Sequence, residues 1–573
     1  MALLRGFSPR VQGAFFYGRR LFLRKQDRER ILTDVISRVV EQKTSTTAGH
    51  LDEVVADSVY HELKRLKHQQ GDEYAFWKEL RDGVGSASEP ELSSLVRRVV
   101  RRYAEEICGT FDERVYDAVT RAGEPLMGLL LNAVSPKRLF EGLPDLLGGE
   151  GPTMLSVDKN IVVQGNVAQL KKLRQRGTLL LVPTHVSHMD SIAVGWALWK
   201  MGMPPFLYGA GLNLFSNPIL GFFLRNLGAY TVDRRKQDPM YKDVLKEYAQ
   251  ITLENDYDNI FFPGGTRSRT GALEKRLKLG LLGTGVGAYA QNLKMKKQKD
   301  RCYIVPATLS FQLVLEAETL IDDFLQEVGK SRYIITDDEA SKPKRILDFF
   351  SQMFSLDSKI YFTVGQAIDP FGNDVDEDGN SLDPRGRVID PREYVMRDGE
   401  LVVDAQRDAE FTREVGERIV DSYARDTVIQ TTHICAHAAL LLLRLKNPTT
   451  DLVRLLRVGA KVDDLALREV YAEVDRQLAE LRALSARAGV RLAPTLEKGS
   501  ADDVVAEALK HFSCYHARAA LMRRGDRLFA PDRSLLFYYS NRLEGFGLER
   551  GLGLKQALAS DHKSLAPSAL RSA

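Results

Sequence analysis

Short apolar runs, each ended by Gly or Pro, constrain the fold of this chain more than any other feature. They are TLLLVP (178–183), NIFFPGG (259–265), YIVPATL (303–309) and IYFTVG (360–365). Stretches with helical spacing separate them, so the pattern predicts an α/β domain with a mixed, largely buried sheet and flanking helices. Because loops after strands are held by a rigid scaffold, functional residues are expected just after TLLLVP and NIFF.

Helical periodicity on both sides of this domain predicts a chain of three regions. A length of 573 residues exceeds what one hydrophobic core holds, so more than one domain is expected. We predict a helical N-terminal region (1–150), an α/β domain (151–400) ending in an Asp/Gly/Pro-rich loop, and a helical C-terminal region (401–573). In that loop DVDEDG (374–379) resembles the opening of a calcium loop, but Arg385 stands where a bidentate glutamate is needed. We interpret it as a turn-rich loop, and no internal repeat is evident.

Charge and cysteine usage disfavour several classes of protein. The formal net charge of +4 gives no bulk indication of a nucleic-acid partner, and RRVVRR (97–102) is interpreted as a solvated helix face. The 4 cysteines lack pairing or metal-type spacing, which favours a reducing compartment over a disulfide framework. No apolar segment approaches the roughly 18–20 residues that a membrane-spanning helix needs.

The first 25 residues combine cations with aromatic and leucine side chains. No acidic residue precedes Asp27 in this segment, MALLRGFSPRVQGAFFYGRRLFLRK. The composition suits a membrane-surface segment (1–25), because aromatic rings favour the headgroup boundary and cations favour anionic lipid. An organellar transit peptide and an ordinary helix docked on its own core are the alternatives. Pro9, Gly13 and Gly18 interrupt the apolar run and argue against a signal peptide.

The segment THVSHMD (184–190), which follows TLLLVP and precedes a helical pattern, carries the polar groups best suited to catalysis. His185 and Asp190 form an H-x4-D pair, in which a carboxylate holds an imidazole base in one tautomer. Asp190 also suits a helix N-cap, and His188 a packing or capping residue. A metal site made of these three residues is disfavoured, because no fourth ligand is nearby. No G-x-S-x-G elbow occurs in this domain, so we expect the reacting hydroxyl to belong to the substrate.

Two further segments supply cations that suit an anionic substrate. FFPGGTRSRTG (261–271) places glycines ahead of two arginines and a serine: Gly264, Gly265, Arg267, Ser268 and Arg269. LGAYTVDRRK (227–236) follows another β-like run and supplies Arg234, Arg235 and Lys236. Glycines let backbone N–H groups approach an anion, and arginines bind phosphate through two hydrogen bonds. The G-K-[ST] ending of a Walker loop is missing, so a nucleotide loop of that type is not indicated.

Four blocks together resemble the glycerophospholipid acyltransferase family, and within it most closely the glycerol-3-phosphate acyltransferases. They are H-x4-D (His185 to Asp190), GAYTVDR (228–234), FPGGTRS (262–268) and IVPATL (304–309), in that family's order and spacing. The continuation RSRTGALEKRLKLGLL (267–282) is more similar to this subfamily than to the lysophosphatidate acyltransferases. The likeness covers about residues 155–370 and implies an α/β acyltransferase domain. One position departs, since the family usually has glutamate where Gly264 stands.

The resemblance implies roles for individual residues. His185 would be the general base on the sn-1 hydroxyl of glycerol 3-phosphate, with Asp190 orienting it. The phosphate site would be formed by the second and third blocks: Arg234, Arg267 and Arg269 would hold the phosphate, and Gly265 and Ser268 would shape the loop. Pro306 would serve acyl-donor binding or architecture, and His188 receives no role.

The resemblance also implies a reaction and its setting. The donor would be an acyl thioester of coenzyme A or of acyl carrier protein, the product lysophosphatidate, and neither a metal nor a cofactor would be required. The protein would be peripheral, at a membrane surface on its cytoplasmic face, without a transmembrane helix and without a nucleic-acid partner. The alternatives are acylation of dihydroxyacetone phosphate or of lysophosphatidate, and a catalytically weak lipid-binding or scaffolding relative. Gly264 is the only sequence support for that last alternative.

Overall fold

The computed structural model describes most of the chain between Lys25 and Glu549. The described residues are 25–47, 49–67, 71–116, 160–216, 218–328, 358–459, 461–513 and 515–549. The predicted membrane-surface segment lies outside the described residues except for Lys25. The predicted boundary between residues 150 and 151 also lies outside them.

Helices form the described N-terminal region, as predicted. They are Lys25–Thr46 (α1), Leu51–Arg65 (α2), Asp72–Val84 (α3) and Glu89–Ile107 (α4). Helix α4 begins at a capping box, in which Glu91 accepts the backbone N–H of Ser88 at 2.7 Å. Within RRVVRR the valines Val99 and Val100 are buried while Arg97 reaches solvent, as expected for a solvated helix face.

A mixed sheet forms the centre of the α/β domain. Its strands are Ile161–Gly165 (β1), Gly177–Pro183 (β2), Leu207–Gly211 (β3), Ala229–Val232 (β4), Asn259–Ile260 (β5), Arg301–Phe311 (β6) and Ile360–Val364 (β7). The 7 strands lie in the order β1-β7-β6-β2-β5-β3-β4. Strands β6, β2, β5, β3 and β4 are parallel to one another, and β7 is antiparallel to β6. The apolar runs of the sequence lie at β2, β5, β6 and β7, which confirms the predicted mixed sheet.

Helices cover both faces of this sheet. They are Val167–Arg176 (α5), Asp190–Lys200 (α6), Pro218–Asn226 (α7), Pro239–Glu254 (α8), Leu279–Leu282 (α9), Thr284–Lys294 (α10) and Ala317–Val328 (α11). Successive side chains of a strand point to opposite faces, so β2 contributes Leu179 and Leu181 to one core and Leu180 and Val182 to another. The sheet is therefore buried on both sides.

The Asp/Gly/Pro-rich loop is a series of short strands: Asp374–Val375 (β8), Ser381–Leu382 (β9), Val388–Ile389 (β10), Met396–Arg397 (β11) and Glu400–Leu401 (β12). Asp369, Asp376 and Asp383 each accept the backbone N–H groups two and four residues further on. The turn-rich interpretation is confirmed. The expectation of no internal repeat was wrong, because the same aspartate turn recurs at seven-residue intervals.

Helices also dominate the C-terminal region. They are Ala405–Asp426 (α12), Thr431–Lys446 (α13), Leu452–Arg457 (α14), Leu467–Ala488 (α15), Pro494–Lys498 (α16), Ala501–Phe512 (α17) and Arg533–Ser540 (α18). The short strands are Val428–Ile429 (β13), Asp464–Ala466 (β14), Arg491–Leu492 (β15), Met522–Arg524 (β16) and Arg527–Phe529 (β17). Single 3-10 turns occur at Leu212–Ser216, Pro391–Tyr394 and Asn541–Leu543. One buried cluster joins Leu179 and Val305 of the sheet to Ile434 of α13, so this region shares its core with the α/β domain.

Two further features bear on the setting of the protein. Among the described helices none is both long and apolar enough to cross a bilayer. Cys108, Cys302 and Cys435 are buried thiols without a disulfide, while Cys514 lies outside the described residues.

Candidate active site

The carboxyl ends of three parallel strands bring the predicted site segments to one edge of the sheet. Residues 184–190 follow β2, residues 233–238 follow β4, and residues 261–278 follow β5. Strands β2 and β5 are paired, so the first and third segments are direct neighbours. The backbone N–H of Ser268 donates to the carbonyl of His185 at 2.9 Å and joins these two loops.

His185 and Asp190 form the pair that their spacing predicts. Nδ1 of His185 lies 2.8 Å from Oδ2 of Asp190. The Asp190 side chain is fully buried, and the same oxygen accepts the backbone N–H groups of Val186 at 2.6 Å and Ser187 at 3.0 Å. Because the carboxylate acts only as an acceptor here, Nδ1 carries the hydrogen and Nε2 carries the lone pair.

The imidazole is held on its face as well as at Nδ1. Its ring stacks on Phe262, with centroids 4.4 Å apart and an interplanar angle of 25°. Asp190 is the first residue of α6, and Met189 is the N-cap. The Asp190 carboxylate binds N–H groups of the preceding loop rather than of the first helical turn, so the capping alternative was wrong. Its role is to fold the loop around the histidine.

Arg234 and Arg267 belong to the loops after β4 and β5, and their charges interact. Arg234 is exposed by its accessible surface, yet partial desolvation and, second, the nearby charge of Arg267 lower its pKa from the ordinary value. Asp233 binds Arg235 instead, through its backbone N–H and Nε at 3.0 Å and its Nη2 at 2.9 Å. Burial alone would raise the pKa of Asp233, but these hydrogen bonds hold it below the ordinary value. Arg234 thus lies within the electrostatic range of Arg267, and two such guanidinium groups suit an anion.

The loop after β5 is shaped by Ser268 and Gly265. Ser268 Oγ donates to the carbonyl of Ala272 at 2.7 Å, which closes a short turn. Gly265 has φ of 76°, and a Cβ there would lie 3.0 Å from Cγ of Lys278. Both the backbone conformation and the close approach require glycine at this position. These contacts agree with a loop-shaping role for the two residues.

Arg269 has a different environment from the other two arginines. It forms an ion pair with Glu327 of α11, and both side chains are substantially exposed. The charges of Arg234 and Arg267 thus interact with each other, whereas Arg269 is paired with a carboxylate at the surface.

Glu316 is a site residue that sequence reasoning missed. It follows β6 and is fully buried, with Oε1 3.0 Å from the backbone N of His188 and 3.6 Å from Nη1 of Arg267. Its Oε2 accepts from Ser187 Oγ at 2.8 Å. It therefore connects the histidine loop to the arginine loop. A signal was present in LVLEAETL (313–320), because a carboxylate within an apolar run must find donors when it is buried.

The other predicted positions have structural contacts. His188 contributes its backbone N–H to Glu316. Pro306 lies in β6 opposite Val182, and its carbonyl accepts the N–H of Gly365 at 2.8 Å. Pro306 is thus part of the sheet beside the site. Within the described part of the chain, no group of three or more His, Cys, Asp or Glu residues is arranged to hold a metal.

Lys236 is directed away from the site into a buried charge cluster. Its Nζ lies 3.0 Å from Glu106 and 3.3 Å from Glu62, and 4.8 Å from the ring centroid of Tyr103. Burial raises the pKa of Glu106, against the charge of Lys236. This cluster attaches the loop after β4 to α2 and α4. The N-terminal helices therefore help to position Arg234, which precedes Lys236 by two residues.

Comparison with known proteins identifies the class of this domain. A family model described as Acyltransferase matches residues 164–310. The matched residues include both members of the His185–Asp190 pair together with Arg234 and Arg267. Residues 164–310 are therefore an acyltransferase domain.

Similar curated proteins carry a more particular name. The protein called glycerol-3-phosphate acyltransferase in Pseudomonas fluorescens is 30% identical over 173 residues, covering 30% of this chain and 20% of that relative. One of the same name in Aeromonas hydrophila is 31% identical over 220 residues, covering 38% and 23%. A Caenorhabditis elegans protein, named "Probable glycerol-3-phosphate acyltransferase, mitochondrial", is 33% identical over 171 residues, covering 28% and 22%. The chain thus aligns with about a fifth of the length of these relatives.

The position of Glu316 leads to a stability prediction. Glu316→Ala leaves Arg267 without its buried carboxylate, so we expect the free energy of unfolding to fall by about 3 kcal/mol or more. The matched control is Glu327→Ala, which removes an exposed partner of Arg269 and is expected to cost less than about 1 kcal/mol. Urea denaturation followed by tryptophan fluorescence measures both. Equal losses in the two variants would contradict the role given to Glu316.

Proposed function

We propose that this protein transfers a fatty acyl group from an acyl thioester to the sn-1 hydroxyl of glycerol 3-phosphate, giving lysophosphatidate. The observation that carries the proposal is the His185–Asp190 pair next to Arg267, within a domain of acyltransferase type. The names of the similar proteins support glycerol 3-phosphate as the acceptor. Their limited coverage makes a direct assay of this chain the deciding experiment.

The chemistry follows from the free nitrogen of His185. Nε2 takes the proton of the substrate hydroxyl while its oxygen attacks the thioester carbonyl. The resulting tetrahedral intermediate collapses, the carbon–sulfur bond breaks, and the thiolate leaves with the proton returned by the imidazolium. Asp190 keeps Nδ1–H in place throughout and stabilises the positive charge that forms on the ring. The products are the ester and the free thiol of coenzyme A or acyl carrier protein.

The phosphate group is the part of the substrate that Arg234 and Arg267 recognise. Two guanidinium groups near one another repel, and a phosphate dianion between them replaces this repulsion with attraction. Since Ser268 is bonded to the backbone of His185, a phosphate bound at Arg267 holds the glycerol hydroxyls close to the base. Dihydroxyacetone phosphate and lysophosphatidate present the same combination of hydroxyl and phosphate, so they are the competing acceptors in any assay.

A membrane surface is the proposed setting of the reaction. Phe222 of α7 is 51% exposed, and the neighbouring Phe223 and Leu224 are half-buried or buried. An exposed aromatic ring on an apolar helix suits the interfacial region of a bilayer, where long acyl chains partition.

For the proposed function, the first prediction concerns the general base. His185→Ala is expected to lower kcat by about 100- to 10,000-fold, the usual contribution of general base catalysis. The assay combines labelled glycerol 3-phosphate with palmitoyl-coenzyme A or palmitoyl-acyl carrier protein in parallel. His188→Ala is the matched control and is expected to keep activity of the wild-type order. Turnover that survives His185→Ala would falsify the assignment, and turnover of another acceptor alone would replace the proposed substrate.

The second prediction separates the arginines. Arg267→Ala removes a charge-assisted contact, so KM for glycerol 3-phosphate is expected to rise about 10- to 100-fold while KM for the thioester stays constant. Arg269→Ala is the comparison, because its side chain is engaged by Glu327. We expect a smaller rise for it. If KM for glycerol 3-phosphate rises similarly in both variants, Arg269 also binds the phosphate. If KM does not rise in Arg267→Ala, Arg267 does not bind it.

The third prediction concerns the membrane. The wild-type protein is expected to co-sediment with anionic phosphatidylserine vesicles, and Phe222→Asp to shift the bound fraction toward the supernatant. Tyr60→Asp changes another exposed aromatic residue, on α2, and serves as control. If the two variants bind equally to vesicles, α7 is not the contact. If the wild-type protein stays in the supernatant, the proposed setting is wrong.

A further inference from the structure

The Glu274 side chain occupies the space beside Gly264, within the loop after β5. A Cβ built on Gly264 would lie 3.0 Å from Cγ of Glu274 and 3.2 Å from its Oε1. A glutamate spans about that separation between its own Cβ and its carboxylate oxygens. The φ angle of Gly264 does not lie in the left-handed region. Glycine at this position is therefore explained by the lack of room for a side chain and not by the backbone conformation.

The same carboxylate binds the backbone of the proposed base. Oε1 of Glu274 accepts the N–H of His185 at 2.8 Å. The carbonyl of His185 accepts from Ser268 on the other side, so the loop after β5 brackets the histidine at both backbone groups. Oε2 of Glu274 is buried and has no hydrogen-bond partner among the described residues. A carboxylate in this environment is maintained against a desolvation cost, which favours a functional reason for its place.

The C-terminal region holds Glu274 in place. Asn541 donates to the carbonyl of Thr270 at 2.9 Å, and Lys275 pairs with Glu544 at 2.7 Å. A further hydrogen bond joins the two ends of this loop, since the N–H of Lys278 donates to the carbonyl of Pro263 at 2.6 Å.

Charge around the Glu274 carboxylate is balanced from both sides. Burial raises the pKa of Glu274, and the hydrogen bond from His185 and the nearby charge of Arg542 oppose that rise. Arg542 is itself buried in the C-terminal region. The glutamate thus binds a backbone donor of the catalytic domain and lies within the electrostatic range of a cation of the C-terminal region.

We propose that Glu274 is a positioning residue for His185. Its carboxylate occupies the place that a side chain at position 264 would otherwise take. Its importance for turnover rests on the proposed acyltransferase function. The carboxylate fixes the backbone at His185, and hence the direction of Nε2 relative to the phosphate-binding arginines. Because its hydrogen bond is to the backbone of the base, we expect Glu274 to act on the chemical step rather than on substrate binding.

The first arm of the test removes the carboxylate. Glu274→Ala is expected to lower kcat about 10- to 100-fold, the loss of a hydrogen bond to a charged acceptor, with KM for glycerol 3-phosphate unchanged. Glu274→Gln keeps an acceptor oxygen and is expected to retain most of the activity. Wild-type kcat in Glu274→Ala would overturn the inference, and so would a rise in KM without a change in kcat.

The second arm moves the carboxylate to position 264. Gly264→Glu alone crowds two side chains into one space and is expected to lose activity, whereas Gly264→Glu combined with Glu274→Ala recovers kcat. Gly280→Glu is the matched control, because a side chain at 280 meets only the flexible end of Lys246. A double variant no more active than the worse single variant would overturn the inference.

Unfolding temperatures of the same proteins provide a measurement that does not depend on turnover. Gly264→Glu is expected to lower the midpoint when Glu274 is present and to have less effect when position 274 is alanine. Equal shifts of the unfolding midpoint in the two backgrounds would show that the side chains at positions 264 and 274 do not compete for one space. If the wild-type protein acylates neither glycerol 3-phosphate nor the alternative acceptors, the proposed function fails while this cycle still decides the placement of Glu274.

Discussion

The buried carboxylate of Asp190 is the constraint on which the site depends. A fully buried charge needs hydrogen-bond donors, and here the imidazole and two backbone N–H groups of the loop after β2 all meet one oxygen, Oδ2, while Oδ1 has no hydrogen-bond partner among the described residues. Satisfying Asp190 therefore also folds that loop and orients His185. Glu316 repeats the principle one strand away, where a second buried carboxylate ties the histidine loop to Arg267.

The helical regions on both sides of the α/β domain also support the site, because their polar and charged side chains bind its loops. On one side Lys236 and Glu62 join the loop after β4 to the N-terminal helices. On the other side Asn541 and Glu544 of the C-terminal region bind the loop that carries Glu274. The C-terminal core is continuous with one face of the sheet. The three regions distinguished in the sequence thus pack around a single edge of the sheet.

Much of the fold and part of the site could be predicted from local pattern. Apolar runs bounded by Gly or Pro predict β2, β5, β6 and β7, because period and punctuation are properties of the chain itself. The H-x4-D spacing also predicts a contact between His185 and Asp190 across one loop, which the structure has. The aspartate turns that begin at Asp369 were missed although the sequence repeats them as DPFGN, DEDGN and DPRGR, with Asp and Gly recurring every seven residues.

Other features required the tertiary structure. The sequence by itself determined the α/β class, the helical flanks, and the loops in which His185 and the arginines lie, since these depend on neighbours within a few turns. Only the packed structure decided that Arg267 lies beside Glu316 while Arg269 pairs with Glu327, and that Glu316 and Glu274 support the histidine loop. The physical reason is that buried carboxylates choose donors by proximity in space, and strand order brings together residues that are distant along the chain.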